Sequence, residues 1–240
     1  MTAPVAFCDV DETLIRVKSM FRFLEFYLAR RGEPAATYER LMAGFRADAA
    51  GGVPRQEINR AYYRLYAGED ARRLAAAGRD WFAAECERGG FWVSATRRAL
   101  AGHVAAGEPV VLVSGSFSAC LDPVADAVGA TWAVGTRPVV RRGTLTGEVL
   151  VPVIGATKGR VAHHAATVRG ADLAACTAYG DHASDLDLLT AVGHPVVVGT
   201  DPVLDSHAGR LGWRRLPNDH APAPASAPAP TPAPAPLETV

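Results

Sequence analysis

The sequence predicts an α/β fold: a doubly wound parallel sheet with a small helical segment inserted after its first strand. Three observations carry this. Short apolar runs alternate with stretches of helical periodicity from about residue 90 onward. Four polar islands each adjoin a run that reads as a strand. Between the first and second of these islands, residues 19–88 abandon the alternation for four successive helical patterns, so they belong to something other than the sheet.

The elements follow in order. Residues 4–8 are short and apolar and end on Asp9, the pattern of a buried parallel strand delivering a side chain at its carboxyl end. Met20, Phe21, Phe23, Leu24, Tyr27 and Leu28 recur at helical spacing. Leu41, Met42 and Phe45 mark a second helix, Ile58, Tyr62, Leu65 and Tyr66 a third, and Leu74, Trp81 and Phe82 a fourth. Gly and Pro separate them near residues 32–34, 51–54 and 68. Residues 96–105 read as a helix, 110–113 as a strand ending at Ser114, and 119–128 as a helix. Residues 131–134 form a short strand, and 139–150 a hairpin with Arg141 and Arg142 near its tip. A helix over 158–168, a strand over 176–179, a helix over 185–191 and a last clear strand over 195–198 complete the pattern. Right-handed crossovers in such a sheet put ligands at the carboxyl ends of the strands, where all four islands fall. The division expected is a core of residues 1–15 and 90–217, a helical cap of 16–89, and a tail of 218–240. The tail alternates Ala and Pro over 221–236, cannot bury a core, and is expected to be disordered.

Bulk properties narrow the function. The chain has 240 residues, 49% of them hydrophobic and 21% charged, with a formal net charge of zero. Zero net charge gives no electrostatic reason for a nucleic-acid or anionic-membrane partner. No apolar run approaches the roughly 18 residues of a membrane span, and the N-terminus lacks a signal-peptide pattern, so a cytoplasmic location is expected. Cys8, Cys86, Cys120 and Cys176 show no CxxC spacing and read as buried reduced thiols.

The islands carry the chemistry. Asp9 and Asp11 flank one residue at a strand end, where two carboxylates repel unless a cation or a shared proton intervenes. A division of labour resolves this: Asp9 attacks phosphorus, and Asp11 protonates the leaving oxygen and then activates water. Thr13 is placed to orient a carboxylate. Ser114 and Gly115, in Ser114-Gly115-Ser116, offer a hydroxyl and backbone N–H groups to phosphate oxygens; the alternative reading is a plain helix cap. Lys158 opens a helix and supplies a compact positive charge for the phosphate and Asp9. Asp181 and Asp185, in Gly180-Asp181-His182-Ala183-Ser184-Asp185, would hold a hard divalent cation together with Asp9, and magnesium prefers such oxygen ligands. His182 reads as a loop residue near the site.

These residues, in this order, resemble the haloacid dehalogenase superfamily of aspartyl-nucleophile phosphatases, over roughly residues 5–217. The helical insert, the hairpin Thr144-Leu145-Thr146-Gly147-Glu148 and the Asp-Leu-Asp-Leu-Leu run after Ser184 are similar to its phosphoserine-phosphatase-like branch. The resemblance implies a Rossmann-like core, Asp9 as nucleophile, Asp11 as acid/base, and Ser114 and Lys158 at the phosphate. It also implies magnesium held by Asp9, Asp181 and the backbone carbonyl of Asp11, with Asp185 in a supporting role. Two departures stand out. Residue 12 is Glu where the family commonly has a small residue. Seven residues after Asp11, where phosphoserine phosphatases carry a glutamate for the substrate ammonium, stands Lys18. A lysine there repels an ammonium and attracts an anion, unless it points to solvent.

The expected function is therefore magnesium-dependent hydrolysis of a small phosphate ester other than phosphoserine. A phosphotransferase or phosphomutase would keep the same residues, and a non-catalytic phosphate-metabolite binder is the remaining class. Halide hydrolysis needs neither Asp11 nor the metal acids. Substrate choice is expected to rest on the insert, with Lys18, Phe21, Arg22, Arg46 and Arg55 as candidates and Arg141 and Arg142 near the mouth. Oligomeric state is not legible.

Overall fold

The computed structural model describes residues 2–218. Strand β1 (Ala6–Cys8) is buried throughout, and four helices follow it: α1 (Ser19–Arg30), α2 (Ala35–Ala50), α3 (Arg55–Arg64) and α4 (Ala71–Arg88). The alternation then resumes with α5 (Ser94–Ala105), β2 (Val110–Ser114), α6 (Ser118–Val128) and β3 (Trp132–Gly135). Strands β4 (Pro138–Arg141) and β5 (Thr144–Val149) form an antiparallel hairpin. After it come α7 (Ala156–Arg169), β6 (Thr177–Gly180), α8 (Leu186–Thr190) and β7 (His194–Val198). Helix α9 (Pro202–Leu211) and strand β8 (Arg214–Leu216) end the described chain.

Six strands make one parallel sheet in the order β3-β2-β1-β6-β7-β8. The order reverses at β1, which pairs with β2 through Ala6 and Val110 on one side and with β6 through Ala6 and Thr177 on the other. A crevice opens at the carboxyl ends there, and Asp9 stands at its edge. The pleat sends Ala6, Cys8, Val110 and Leu112 to one face and Phe7, Val111 and Val113 to the other. The second face packs on Ala162, Ala165, Leu188, Leu189, Leu204 and Ala208 from α7, α8 and α9.

The first face continues without a break into the helical segment. Phe117 at the start of α6 packs edge-on against Phe23 of α1 (5.6 Å between ring centroids) and Tyr63 of α3 (5.3 Å). Trp81 of α4 lies 6.2 Å from Phe23. Helix α4 presses onto α6 so closely that a Cβ at Gly78 would stand 1.8 Å from the Ala119 carbonyl oxygen, which explains a glycine in a helix interior. Aromatic packing of this kind joins the helices to the first face of the sheet in one shared core.

Two expectations from the sequence need amendment. Cys86 is exposed, while the other three thiols are buried as expected; it sits in the last turn of α4, beyond the face that meets α6. Helix α9 and strand β8 extend the sheet beyond β7. Their sequence is polar, with Arg214 and Arg215 in the edge strand, so no apolar run announces it. The Ala/Pro stretch lies outside the described residues. Among the described residues no helix is long and apolar enough to cross a membrane.

Candidate active site

Asp9 leaves β1 directly, and its backbone N–H donates to the Tyr179 carbonyl on β6 (3.0 Å), locking it to the neighbouring strand. Its carboxylate is buried, 5% exposed, and faces Lys158 Nζ at 2.6 Å from Oδ1. Lys158 Nζ also donates to Asp185 Oδ1 at 2.5 Å. Burial works against the lysine's charge, but the Asp185 and Asp9 carboxylates outweigh it and raise its pKa. The charge thus stays on, held between two acids at the start of α7.

Asp185 has both oxygens committed. Oδ1 takes Lys158, and Oδ2 accepts the backbone N–H groups of Asp181 and His182, each at 3.2 Å. It therefore fixes the loop after β6 and the lysine together. The loop can close this tightly because residue 180 is glycine: a Cβ there would lie 2.6 Å from the Asp185 Cβ.

Asp181 is the acid turned towards Asp9. Thr13 Oγ1 lies 2.5 Å from Asp181 Oδ1 and 3.1 Å from Asp9 Oδ2. Burial, then the Asp9 and Asp185 charges, push the Asp181 carboxyl up to about 9. Ligand oxygens of Asp9, Asp181 and Asp185 lie within 4.8 Å of one another. This all-oxygen set fits a hard divalent cation between Asp9 and Asp181, where the crowding of charge is greatest.

The Asp11 carboxylate lies apart from that cluster. Its Oδ1 accepts the Ser19 N–H at the start of α1 (3.1 Å), and burial pushes it up to about 7 despite that bond. The Asp11 side chain, expected as acid/base and offering the metal only its backbone carbonyl, is thus directed away from the acid cluster. Glu12, between Asp11 and Thr13, adopts φ 65°. That left-handed backbone favours glycine, so a glutamate here holds a strained conformation.

Ser114 ends β2, fully buried, and its Oγ accepts the Ser116 N–H at 3.1 Å. The Gly115 carbonyl accepts from Asn59 Nδ2 (2.9 Å) and from the Tyr63 hydroxyl (3.1 Å), both on α3. Two side chains of the helical segment thereby hold the peptide that precedes the Ser116 N–H. Ser116 in turn meets Ser19 by a hydroxyl–hydroxyl bond of 2.8 Å. Asn59, Tyr63 and Ser19 carry no motif that marks them, because a polar residue on a helix becomes a site residue only through its facing partner.

A cavity of about 410 Å³ opens over these groups, lined below by Asp9, Asp11, Ser114, Gly115, Lys158 and Asp181. Helices α1, α2 and α3 form its other wall. Of the substrate-facing candidates, Lys18, Phe21, Arg46 and Arg55 line it. Arg22 is turned away into ion pairs with Glu25 (2.7 Å) and Glu85 (2.9 Å). Lys18 Nζ stands 3.3 Å from the Glu12 carboxylate, so its charge is shared at the rim. Arg55 meets the His182 ring at 3.0 Å, joining the start of α3 to the Asp181 loop. Arg141 and Arg142 lie on the hairpin turn and are not among the cavity's lining residues.

The model of the haloacid dehalogenase-like hydrolases matches residues 6–190. The chain belongs to that family. Its fold agrees with a crystallised protein of unknown function from Bordetella pertussis Tohama I, with a TM-score of 0.80 at 26% identity, covering 90% of this chain and 99% of that one. Within the haloacid dehalogenase-like family, the chain is 40% identical over 114 residues to a probable phosphatase of Mycobacterium tuberculosis, covering 48% of this chain and 40% of that protein. It is 28% identical over 216 residues to phosphoserine phosphatase SerB1 of the same organism, covering 87% of this chain and 68% of the relative. The chain spans about two fifths of the length of the first of these relatives. The motif resemblance to the phosphoserine-phosphatase-like branch is matched by this last relative over 87% of the chain.

Proposed function

We propose that this chain is a magnesium-dependent phosphomonoesterase that works through a phosphoryl group carried on Asp9, and that phosphoserine is a poor substrate. The observation that carries the reading is the buried Asp9–Lys158–Asp185 bridge, with Asp181 and Thr13 at the same carboxylate. Lys158 holds the Asp9 carboxylate in place and sets a cation beside it, as attack on a phosphate requires. The substrate phosphate is received by Ser114, by the backbone N–H groups after Gly115, and by Lys158. Asp9 attacks phosphorus, and the leaving oxygen takes its proton from Asp11. A carboxyl held near 7 is about half protonated at neutral pH, so it can donate a proton and return as a base once that proton is gone. Asp11 then draws a proton from the water that cleaves the acyl-phosphate. A magnesium ion held by Asp9, Asp181 and, as the family implies, the Asp11 carbonyl would offset the repulsion between the phosphate and the Asp9 carboxylate. The domain division expected from the sequence, core 1–15 and 90–217 with a cap of 16–89, supports a lid that excludes bulk water during the acyl stage.

The relatives named phosphatases and the all-oxygen acid cluster support hydrolysis over non-catalytic binding. The test is phosphate release from a panel of esters with magnesium and with chelator, run in oxygen-18 water. Hydrolysis puts solvent oxygen into inorganic phosphate; phosphotransfer to a second hydroxyl does not. The exclusion of phosphoserine rests on the place of Lys18 at the cavity rim, where Glu12 pairs with it, and turnover of phosphoserine at about 10⁵ M⁻¹s⁻¹ would overturn it.

A further inference from the structure

Helix α2 turns one stripe toward the cavity. Met42, Phe45, Arg46 and Ala49 all line it, at the spacing of a single helix face. Three of the four are the apolar residues such a face calls for. Phe45 is buried, stacks on Phe21 of α1 at 6.1 Å and lies 6.4 Å from the Tyr62 ring of α3. Arg46 is a cation on that same inward stripe, where a merely solvated arginine has no reason to stand.

Two other cations line this side of the cavity, and both are engaged. Lys18 Nζ stands 3.3 Å from the Glu12 carboxylate, and an Arg55 nitrogen meets the His182 ring at 3.0 Å. Arg46 has no hydrogen-bond or ion-pair partner among the described residues. The phosphate under attack does not call for it either, because Lys158, 2.6 Å from Asp9, answers that charge at the nucleophile. A guanidinium that faces a cavity without a partner is suited to an anionic oxygen group, which it can hold through two parallel N–H bonds. The cavity, about 410 Å³, has room for more than a phosphate, since pockets of roughly 300–1,000 Å³ enclose whole organic ligands.

We infer that the favoured substrate carries a second anionic oxygen group, besides the phosphate that is cleaved, at the far end of an apolar body: the body lies on Phe21, Phe45 and Ile58, and Arg46 receives the second anion. This rests on the phosphomonoesterase reading above and names the substrate class of the same site. The contact at Arg46 involves no reacting atom, so it is made equally in the ground and transition states and acts through KM rather than kcat.

The test uses the full chain with magnesium at low ionic strength. The esters are ω-(phosphonooxy)alkanoates of four, six and eight carbons, each beside its primary amide, with 4-nitrophenyl phosphate as a generic ester. At one chain length or more, the carboxylate is expected to exceed its amide in kcat/KM by about five- to tenfold, with the difference in KM. Arg46→Gln should bring that ratio to about one, and Arg46→Lys, which keeps the charge, should retain part of it. A general loss of activity in a variant cancels in the ratio. A wild-type ratio of one at all three lengths, a ratio that survives Arg46→Gln, or a ratio carried by kcat alone overturns the inference. If 4-nitrophenyl phosphate is hydrolysed and no alkanoate is, the inference fails alone. If no ester releases phosphate, the phosphomonoesterase reading fails, and the inference with it.

Discussion

Asp11→Asn should make the metal-free protein more stable, and more so at alkaline pH. Burial holds the Asp11 carboxyl near 7, against 3.8 for the free side chain. The folded pKa lies above the unfolded one, so the folded state holds a proton that the unfolded state has released. The penalty is absent below about pH 4, grows as the pH rises from 4 to 7, and is full above 7. Each pH unit crossed between the two pKa values costs about 1.4 kcal/mol, which gives about 2 kcal/mol at pH 5.5 and about 4 kcal/mol at pH 8. The asparagine has no proton to lose and can still accept the Ser19 N–H. The stability gained by the variant should therefore increase by about 2 kcal/mol between the two pH values. For a domain of this size that is roughly 4–8 °C in Tm. Thermal melts of both proteins in chelator at pH 5.5 and 8 give the difference, and other titrating groups cancel because both proteins share them. An advantage for Asp11→Asn that is equal at the two pH values, or larger at pH 5.5, would refute the reasoning.

Other outcomes follow from single contacts. Lys158→Gln leaves Asp9 and Asp185 buried without their counter-charge and should destabilise by about 3–5 kcal/mol in chelator, read by urea denaturation. Glu12→Gly relieves the φ 65° backbone and removes a negative charge beside the site. It should stabilise by up to about 1 kcal/mol in melts and lower KM for a phosphate ester. Tyr63→Phe removes one of two donors to the Gly115 carbonyl and should lower stability by about 1 kcal/mol, with kcat falling more than KM rises. Gly180→Ala drives a Cβ into Asp185 and should lower both Tm and phosphate release, whereas alanine at Gly102, inside α5 with nothing within 4 Å, should raise Tm slightly and leave phosphate release unchanged.

The sheet and the acid cluster are legible in the sequence because both are local signals. An apolar run followed by Asp9 or by Ser114 is a strand and its carboxyl end, and parallel pairing brings such ends together whatever the rest of the chain does. The four helices of the insert announce themselves by period for the same reason. What stays hidden is relational. Asn59 and Tyr63 look like ordinary helical residues until α3 is laid over Gly115, and Arg22 looks like a substrate contact until Glu85 is found beside it. Lys18 looks like an open cation until the left-handed turn at Glu12 brings a carboxylate to it. Strand β8 escapes notice because it has three residues, two of them arginines, and only Leu216 to pack on the core.

The central claim is that Asp9 carries the phosphoryl group. Acid quench of the enzyme during turnover of an ester with magnesium, followed by mass mapping of its peptides, reads this directly. The account predicts one added phosphoryl group on the peptide containing Asp9, absent in Asp9→Asn, which should also fail to release phosphate. Phosphoryl found on another residue, or undiminished turnover by Asp9→Asn, would contradict it.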